Sequence, residues 1–503
     1  MGVSLFKNTL WVYSHKFSTA LITLVSTPVL LSNLGVEDYG IYSLTIGVVA
    51  VFNFINWSLT AATQRFIAVS IGKEDKDELN SVFNNSFFIH LAYSAFLLLI
   101  ILSVGVFFTD TVLNIPMERL KATQYVLIFV SLITFFQILA IPYQGLLKAF
   151  ENFKIVSIFG VLDSVLKLIA AFLLYIAPID KLVFFSLLMA SFSLIIFLLI
   201  SIYAHKKYEF LRLSKTLILK QRMVELFNFI SWNIIGALAI LGRNQGIGVV
   251  LNLFFGVVLN AAYGVALQVQ AAIGVFSQGI ITSMSPRILK EAGKNDIDKM
   301  IAYSNAASKY GLFVISFVGI PLVIYMDTIL NLWLMVVPEN AIIFSQLIVI
   351  FIFTTGFSVG LQTVFHGINK VKLYNLWVSL ILILNIPLAF LGFSVGLPPY
   401  TIFFISIVLE IVSFFTRLIL LKKYISFQIS NYLKTVFREV LIPVILTFLL
   451  VLIFNQMLLD SLNLFLLGSL LSTISLSLII FFFSLTHQEK SVILSKIKPL
   501  MQK

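Results

Sequence analysis

The chain has 503 residues, 60% hydrophobic and only 11% charged, whereas a soluble domain carries about a quarter charged residues to keep its surface wet. That composition excludes an ordinary soluble enzyme. It also removes the nucleic-acid reading that a net charge of +12 would otherwise invite, and the absence of cysteine excludes disulfides, thiolate metal sites and cysteine nucleophiles.

A hydrocarbon core of roughly 30 Å needs about 20 apolar residues per helix. Cutting the chain at its charges and turn residues predicts an all-α polytopic membrane protein of about fourteen transmembrane helices. These fall at 9–32, 41–66, 84–108, 122–147, 155–177, 182–204, 224–250, 257–286, 303–326, 341–366, 374–395, 400–420, 438–456 and 462–485. No run alternates with period 2, which argues against a β-barrel. The first run carries Lys16 and has no small-residue cleavage site, so it reads as an uncleaved span rather than a signal peptide.

Lys and Arg then orient the chain. With the N-terminus in the cytoplasm, most of the 34 fall at cytoplasmic span ends. They include Lys206, Lys207, Arg212, Lys215, Lys220 and Arg222, then Lys422, Lys423, Lys434 and Arg438, then the tail Lys490, Lys496, Lys498 and Lys503. Only Arg119, Lys121 and Lys181 are expected outside. Both termini are predicted to be cytoplasmic.

The chain also repeats itself. Thr63–Asp75 reads TQRFIAVSIGKED and Ser285–Asp296 reads SPRILKEAGKND. Tyr39-Gly40 is echoed by Tyr263-Gly264, and Tyr143-Gln144-Gly145 with Lys148 by Phe365-His366-Gly367 with Lys370. The offsets agree to within a few positions, which makes this one duplication of six spans. An even number of spans gives both copies one orientation, predicting two six-helix halves about a pseudo-twofold axis along the membrane normal. The expected organisation is a bundle at 1–204, a basic cytoplasmic linker at 205–223, a second bundle at 224–420, a basic loop at 421–437, appended helices 13 and 14 at 438–485, and a basic tail at 486–503.

No connection is long enough for a soluble domain, so function has to sit between helices, where charges are costly and usually face a cavity. Lys16 either snorkels to the interface or lines that cavity. Asp163 and Lys167, four apart on one helix face, either neutralise each other or serve the cavity. The polar position of Asp163 is matched one repeat further on by Asn385. Arg65 and Arg287 hold matched positions near the inner face, as anchors or as cavity cations. Lys309 reads as an interfacial lysine. Arg243 is the sharpest signal, set in Arg243-Asn244-Gln245 with Gly236, Gly242, Gly246 and Gly248 around it, where backbone groups can open to a ligand. Glu410 and His90 are lone titratable groups, either structural or coupled to a cation. The four basic residues within spans, Lys16, Lys167, Arg243 and Lys309, against the two acids Asp163 and Glu410 leave the interior net positive, which suits an anionic substrate such as a pyrophosphate.

The duplicated halves, the stretch LLSNLGVEDYGIYSL and Thr63-Gln64-Arg65 ending the second span resemble the MOP superfamily, and within it the Wzx-type flippases of O-antigen and other polysaccharide biosynthesis. The resemblance covers the whole chain and is strongest over residues 1–75. It implies a MATE-like fold in the bacterial inner membrane and transfer of an undecaprenyl-pyrophosphate-linked oligosaccharide from the cytoplasmic to the periplasmic leaflet by alternating access. It further implies a cationic cavity formed by Lys16, Arg65, Arg243 and Arg287, with Lys167 beside them. Asp163, Glu410 and His90 are then the candidates for coupling to H⁺ or Na⁺. No other cofactor is expected. Partners would be the lipid-linked oligosaccharide, membrane lipids and polysaccharide polymerase or chain-length regulator proteins, with no nucleic acid. The appended pair departs from twelve-span members and is similar to that of the lipid II flippases.

Two other readings compete. A cation-coupled multidrug or toxin extruder of the same superfamily would rest on Asp163 and Glu410. A membrane glycosyltransferase, polymerase or ligase would need a carboxylate pair or metal motif on a large outer loop. The only adjacent outer acids are Glu37 and Asp38, before a turn, and no HExxH, GxSxG or P-loop pattern occurs. Trp57, Trp232, Asn233 and Gln270 are candidates for sugar contacts.

Overall fold

In hydrocarbon the backbone of a long apolar run can satisfy its own polar groups only as a helix or in a closed barrel, and this chain takes the helical solution. The computed structural model describes residues 2–50, 53–111, 116–334, 337–456, 462–486 and 489–491, and among these there is no strand. Residues 51 and 52 of the predicted second span, and the tail residues Lys496, Lys498 and Lys503, lie outside the described residues.

Contacts divide the chain into two compact units, Lys7–Ile234 and Ile235–Lys503 with Met1–Phe6. The first holds α1 (Gly2–Ala50), apart from its first residues, and then α2 (Asn53–Gly72), α3 (Lys76–Thr111), α4 (Leu120–Ala149), α5 (Phe153–Leu173) and α6 (Lys181–Lys207). The long α7 (Lys220–Phe255) gives its first turns to this unit and the remainder to the second. The second unit continues with α8 (Val257–Gly293), α9 (Ile297–Ile324), α10 (Met326–Trp333), α11 (Ala341–Gly356), α12 (Val359–Gly367), α13 (Val371–Ile383), α14 (Asn385–Ser394) and α15 (Thr401–Ile425). It closes with the single turn α16 (Ile429–Tyr432), a π-helical turn at Leu433–Arg438, α17 (Glu439–Gln456) and α18 (Leu462–Ile479).

Among the described residues thirteen segments are long and apolar enough to cross a membrane. The predicted second span, 41–66, is interrupted by residues 51 and 52, which lie outside the described residues, so it is not among the segments counted. Its described parts are the end of α1 and the start of α2, where Ser58, Thr63 and Arg65 are buried in protein.

The backbone records the duplication independently. Gly35 breaks α1 at φ 79°, ψ 169°, and one repeat later Gly256 opens α8 at φ 77°, ψ −171°. That region belongs almost only to glycine. Nothing lies within 4 Å of a Cβ built at either position, so the requirement is conformational. Gly256→Ala is therefore expected to destabilise the protein by about 1–3 kcal/mol, read as a lowered midpoint of thermal unfolding in detergent. Glu74 and Asn295, separated by the same interval, both take positive φ after the matched Gly-Lys turn. Further on the register slips. Glu151 and Asn369 hold the equivalent left-handed turns but stand slightly closer together in the chain. In that shorter register Asp163 lines up with Ile381, and its polar position is not the one held by Asn385.

The link between α6 and α7 is strapped to α3. Asn80 Oδ1 accepts from the Arg212 N–H, Asn84 Oδ1 from Ser214 at 2.8 Å, and Asn85 Oδ1 from Leu219. The Asn84 and Asn85 amides donate to the carbonyls of Arg212 and Leu217. Three side-chain amides thereby satisfy an irregular backbone much as a neighbouring strand would. At the end predicted to face outward, Arg119 bridges Asp38 and Asp180. Asp38 is thus an ion-pair partner and more than a turn residue.

Candidate functional site

In the first unit, α1 lies along α5 through a ladder set by residues four apart. Ser157 Oγ donates to the Trp11 carbonyl at 2.8 Å, the His15 ring sits against Gly160, and Ser164 Oγ bonds Thr19 Oγ1 at 3.1 Å. Gly160 is required because any side chain would meet the imidazole. This ladder brings half-buried Lys16 together with His15, Lys148 and Asp163, all within electrostatic range of His15. Asp163 does pair with Lys167, at 2.7 Å, with both side chains partly exposed. His15 was not singled out in the sequence, and Lys148 was read there only as part of the repeat, since each looks like an ordinary residue near a span end.

Arg65 is no loose interfacial anchor. It is buried, 4.2 Å from the ring centroid of Phe66 and 5.1 Å from that of Phe229, with Glu225 and Arg222 in electrostatic range. Its duplicate Arg287 on α8 is only half-buried. Matched positions have acquired different surroundings. His90 is fully enclosed on α3. Its Nδ1 donates to the Ser86 carbonyl at 2.7 Å, one turn back, and Nε2 has no partner among the described residues.

In the second unit, Arg243 sits on α7 at 6% exposure. Its guanidinium carbon lies 4.8 Å from the Phe351 ring centroid, and Nε and Nη2 both donate to Asn244 Oδ1, at 3.3 and 3.1 Å. The Tyr263 hydroxyl donates to the Asn244 carbonyl at 2.9 Å, fixing that turn. Arg243, Asn244, Tyr263, Gln270, Phe351 and Ser406 line a cavity of about 20 Å³, room for roughly one water. Beyond Ser406, Asn385 is completely buried; its amide donates to Ser406 Oγ at 2.6 Å, and its Oδ1 has no partner among the described residues. Two of the four α7 glycines differ from expectation, while Gly242 has open space beside it. A Cβ on Gly236 would come 2.9 Å from Asn375 Oδ1, and one on Gly246 would strike Ile386. At these two positions glycine allows close approach of α13 and α14; it does not expose backbone to a ligand.

Glu410 is not lone. Two turns along α15, Arg417 Nη1 donates to Glu410 Oε1 at 2.8 Å, with side chains 7% and 4% exposed. Arg417 also donates to Ser358 Oγ at 2.9 Å and lies over the Tyr374 ring. Sequence reasoning missed Arg417 because it closes a predicted span, where a cation reads as an anchor; the spacing of seven from Glu410 was the available signal. Arg243 lies within electrostatic range of both charges.

Lys309 is likewise no interfacial lysine. It is buried on α9, bonded to Glu439 of α17 at 2.6 Å and to the Ser484 carbonyl at 2.5 Å. Neighbouring Tyr310 donates to Glu489. Burial alone would push the Glu489 carboxyl up. The Tyr310 hydroxyl, the Thr486 N–H and the Lys309 charge outweigh it and hold the carboxyl below the ordinary glutamate value. A carboxylate held low contributes stability that is present above its unfolded value and lost as pH falls through the lowered one. Acidification below about pH 4 is thus expected to free this segment, seen as falling anisotropy of a label at Ser491→Cys. Unchanged anisotropy would mean that other contacts hold it.

These features define a multi-pass, all-helical membrane protein with charged and polar groups enclosed among its helices. Residues 5–291 match the family described as "Polysaccharide biosynthesis protein". That match covers more than half of the chain, which belongs to this family. A stretch of 97 residues is 33% identical to the uncharacterized membrane protein EpsK of Bacillus subtilis, covering 19% of this chain and 18% of that protein. The match thus spans about a fifth of this relative. Among solved structures, a point mutant of a MATE protein superposes with a TM-score of 0.73 at 14% identity, over 84% of this chain and 96% of that one. An outward-facing multidrug resistance MATE family transporter of the MOP superfamily gives 0.72, and so does a MOP superfamily transporter from Pyrococcus furiosus described by the reverse polarity of its binding pocket. Both are 14% identical, over 84% of this chain and 95% of theirs. At that identity the likeness concerns the fold alone.

Proposed function

We propose that the protein moves an undecaprenyl-pyrophosphate-linked oligosaccharide, an O-antigen or similar polysaccharide repeat unit, from the cytoplasmic to the periplasmic leaflet of a bacterial inner membrane by alternating access. The observation that carries this reading is the chemistry around Arg243. A guanidinium has five N–H donors; the structure gives it one amide oxygen and no carboxylate within ion-pair distance among the described residues. Such a donor-rich, acceptor-poor pocket suits a phosphate oxygen, to which Arg can offer two parallel bonds. At its present size it admits no pyrophosphate, so binding belongs to a more open state. Lys16 and Lys148 in the first unit, and half-buried Arg287 in the second, carry positive charge of their own.

The extruder reading draws less support, since both membrane carboxylates it would use, Asp163 and Glu410, are neutralised by Lys167 and Arg417. Coupling to H⁺ or Na⁺ would proceed through one of these pairs or through the enclosed His90. The test is transfer of labelled undecaprenyl-pyrophosphate oligosaccharide across proteoliposomes. The same glycan on a neutral lipid should not cross. Equal transfer of both, or efflux of small organic cations without lipid transfer, would overturn the proposal.

A further inference from the structure

The basic segment between α6 and α7 was read from sequence only as a topology signal, but the structure gives it a shape. Tyr208 and Leu211 are buried, Tyr208 stacked 4.6 Å from the Phe150 ring centroid. The backbone from Arg212 to Leu219 is held by Asn80, Asn84 and Asn85. With one face pinned, the other presents Lys206, Lys207, Arg212 and Lys220, all exposed, and between them Leu213 and Leu219, 44% and 50% exposed. One acid, Glu209, shares the exposed face. Arg222, by contrast, is spent on Glu78 and Glu225.

We propose that this strap is a docking surface for anionic phospholipid headgroups. Two facts on either side of it select the partner. The strap is a short link between the ends of two membrane-spanning helices, Lys181–Lys207 and Lys220–Phe255, so it cannot leave the bilayer surface. And exposed leucines flanked by cations match an interface, where apolar side chains enter the acyl boundary while Lys and Arg reach phosphate oxygens. A cation near such a surface contributes roughly a fivefold gain in affinity. Because the backbone is already bonded to α3, little ordering is needed on contact, and the contact also fixes α3, whose asparagines carry the strap.

The chain has no cysteine, so Leu213→Cys and Leu219→Cys can each be nitroxide-labelled in the full-length protein. The labelled protein is reconstituted in phosphatidylcholine vesicles, with or without added phosphatidylglycerol. In phosphatidylglycerol vesicles the labels should collide more with oxygen than with a water-soluble nickel chelate, and high salt should reverse this, because exposed charges are screened. Combining Lys206→Gln, Lys207→Gln, Arg212→Gln and Lys220→Gln keeps every backbone bond and should raise the phosphatidylglycerol fraction required severalfold. Lys422→Gln with Lys423→Gln, at another exposed basic pair, should not. Labels that stay in water in both vesicle types would overturn the proposal and assign the face to an acidic soluble partner. An equal effect of the control pair, or no effect of salt on the parent, would overturn it as well.

Discussion

Replacing Arg243 with alanine is expected to lower transfer of a pyrophosphate-linked glycan by about 10- to 100-fold, the loss that follows from removing one or two charge-assisted hydrogen bonds. Arg243→Lys should fall between, since it keeps the charge but loses the planar fork. Stability should move the other way or not at all. A guanidinium 6% exposed, bonded only to Asn244 among the described residues, is costly to bury, so alanine should leave the unfolding midpoint unchanged or raise it. Equal transfer by all three proteins, with a lowered midpoint for alanine, would make Arg243 a packing residue held by Phe351.

Glu410→Gln should have the opposite profile. Glu410 and Arg417 form a pair with both side chains almost fully buried, and removing one partner strands the other charge in the interior, at about 3–5 kcal/mol. The single variant should unfold at a markedly lower temperature. Adding Arg417→Met, similar in length and apolar, should restore much of that stability. If the double variant also regains transport but loses dependence on an ion gradient, the pair is the coupling element. If gradient dependence survives, coupling lies elsewhere, with Asp163 and Lys167 next to test. A single variant as stable as the parent would mean that Arg417 is adequately held by Ser358 and Tyr374.

Much of this molecule was legible because lipid simplifies the rules. Apolar runs must be helices, and a Gly-Lys turn that recurs in the second half can be read by eye. Arg243 stood out for the same reason, as a cation amid glycine and Leu/Ile. What escaped was pairing across distance. The partners of Lys309 lie at Glu439 and Ser484, and no local pattern links α9 to them. Arg417 was hidden by its place at a span end, although it lies inward. The glycines of α7 carried an ambiguous signal: openness to a ligand and closeness to a neighbouring helix both require a missing Cβ, and Asn375 and Ile386 decide for closeness at Gly236 and Gly246.

The strap also bears on ancestry. A repeat of this kind arises when one gene is copied in tandem, and the two products could at first have remained separate chains. Here α3 of the first copy holds the connecting segment with its own asparagines, and the first turns of α7, which begin the second copy, cluster with the first. A chain cut at the linker would leave Asn84 and Asn85, both wholly buried, without the backbone groups they now bind. The first copy has thus come to depend on the connection that follows it, which an independent chain of that length would lack.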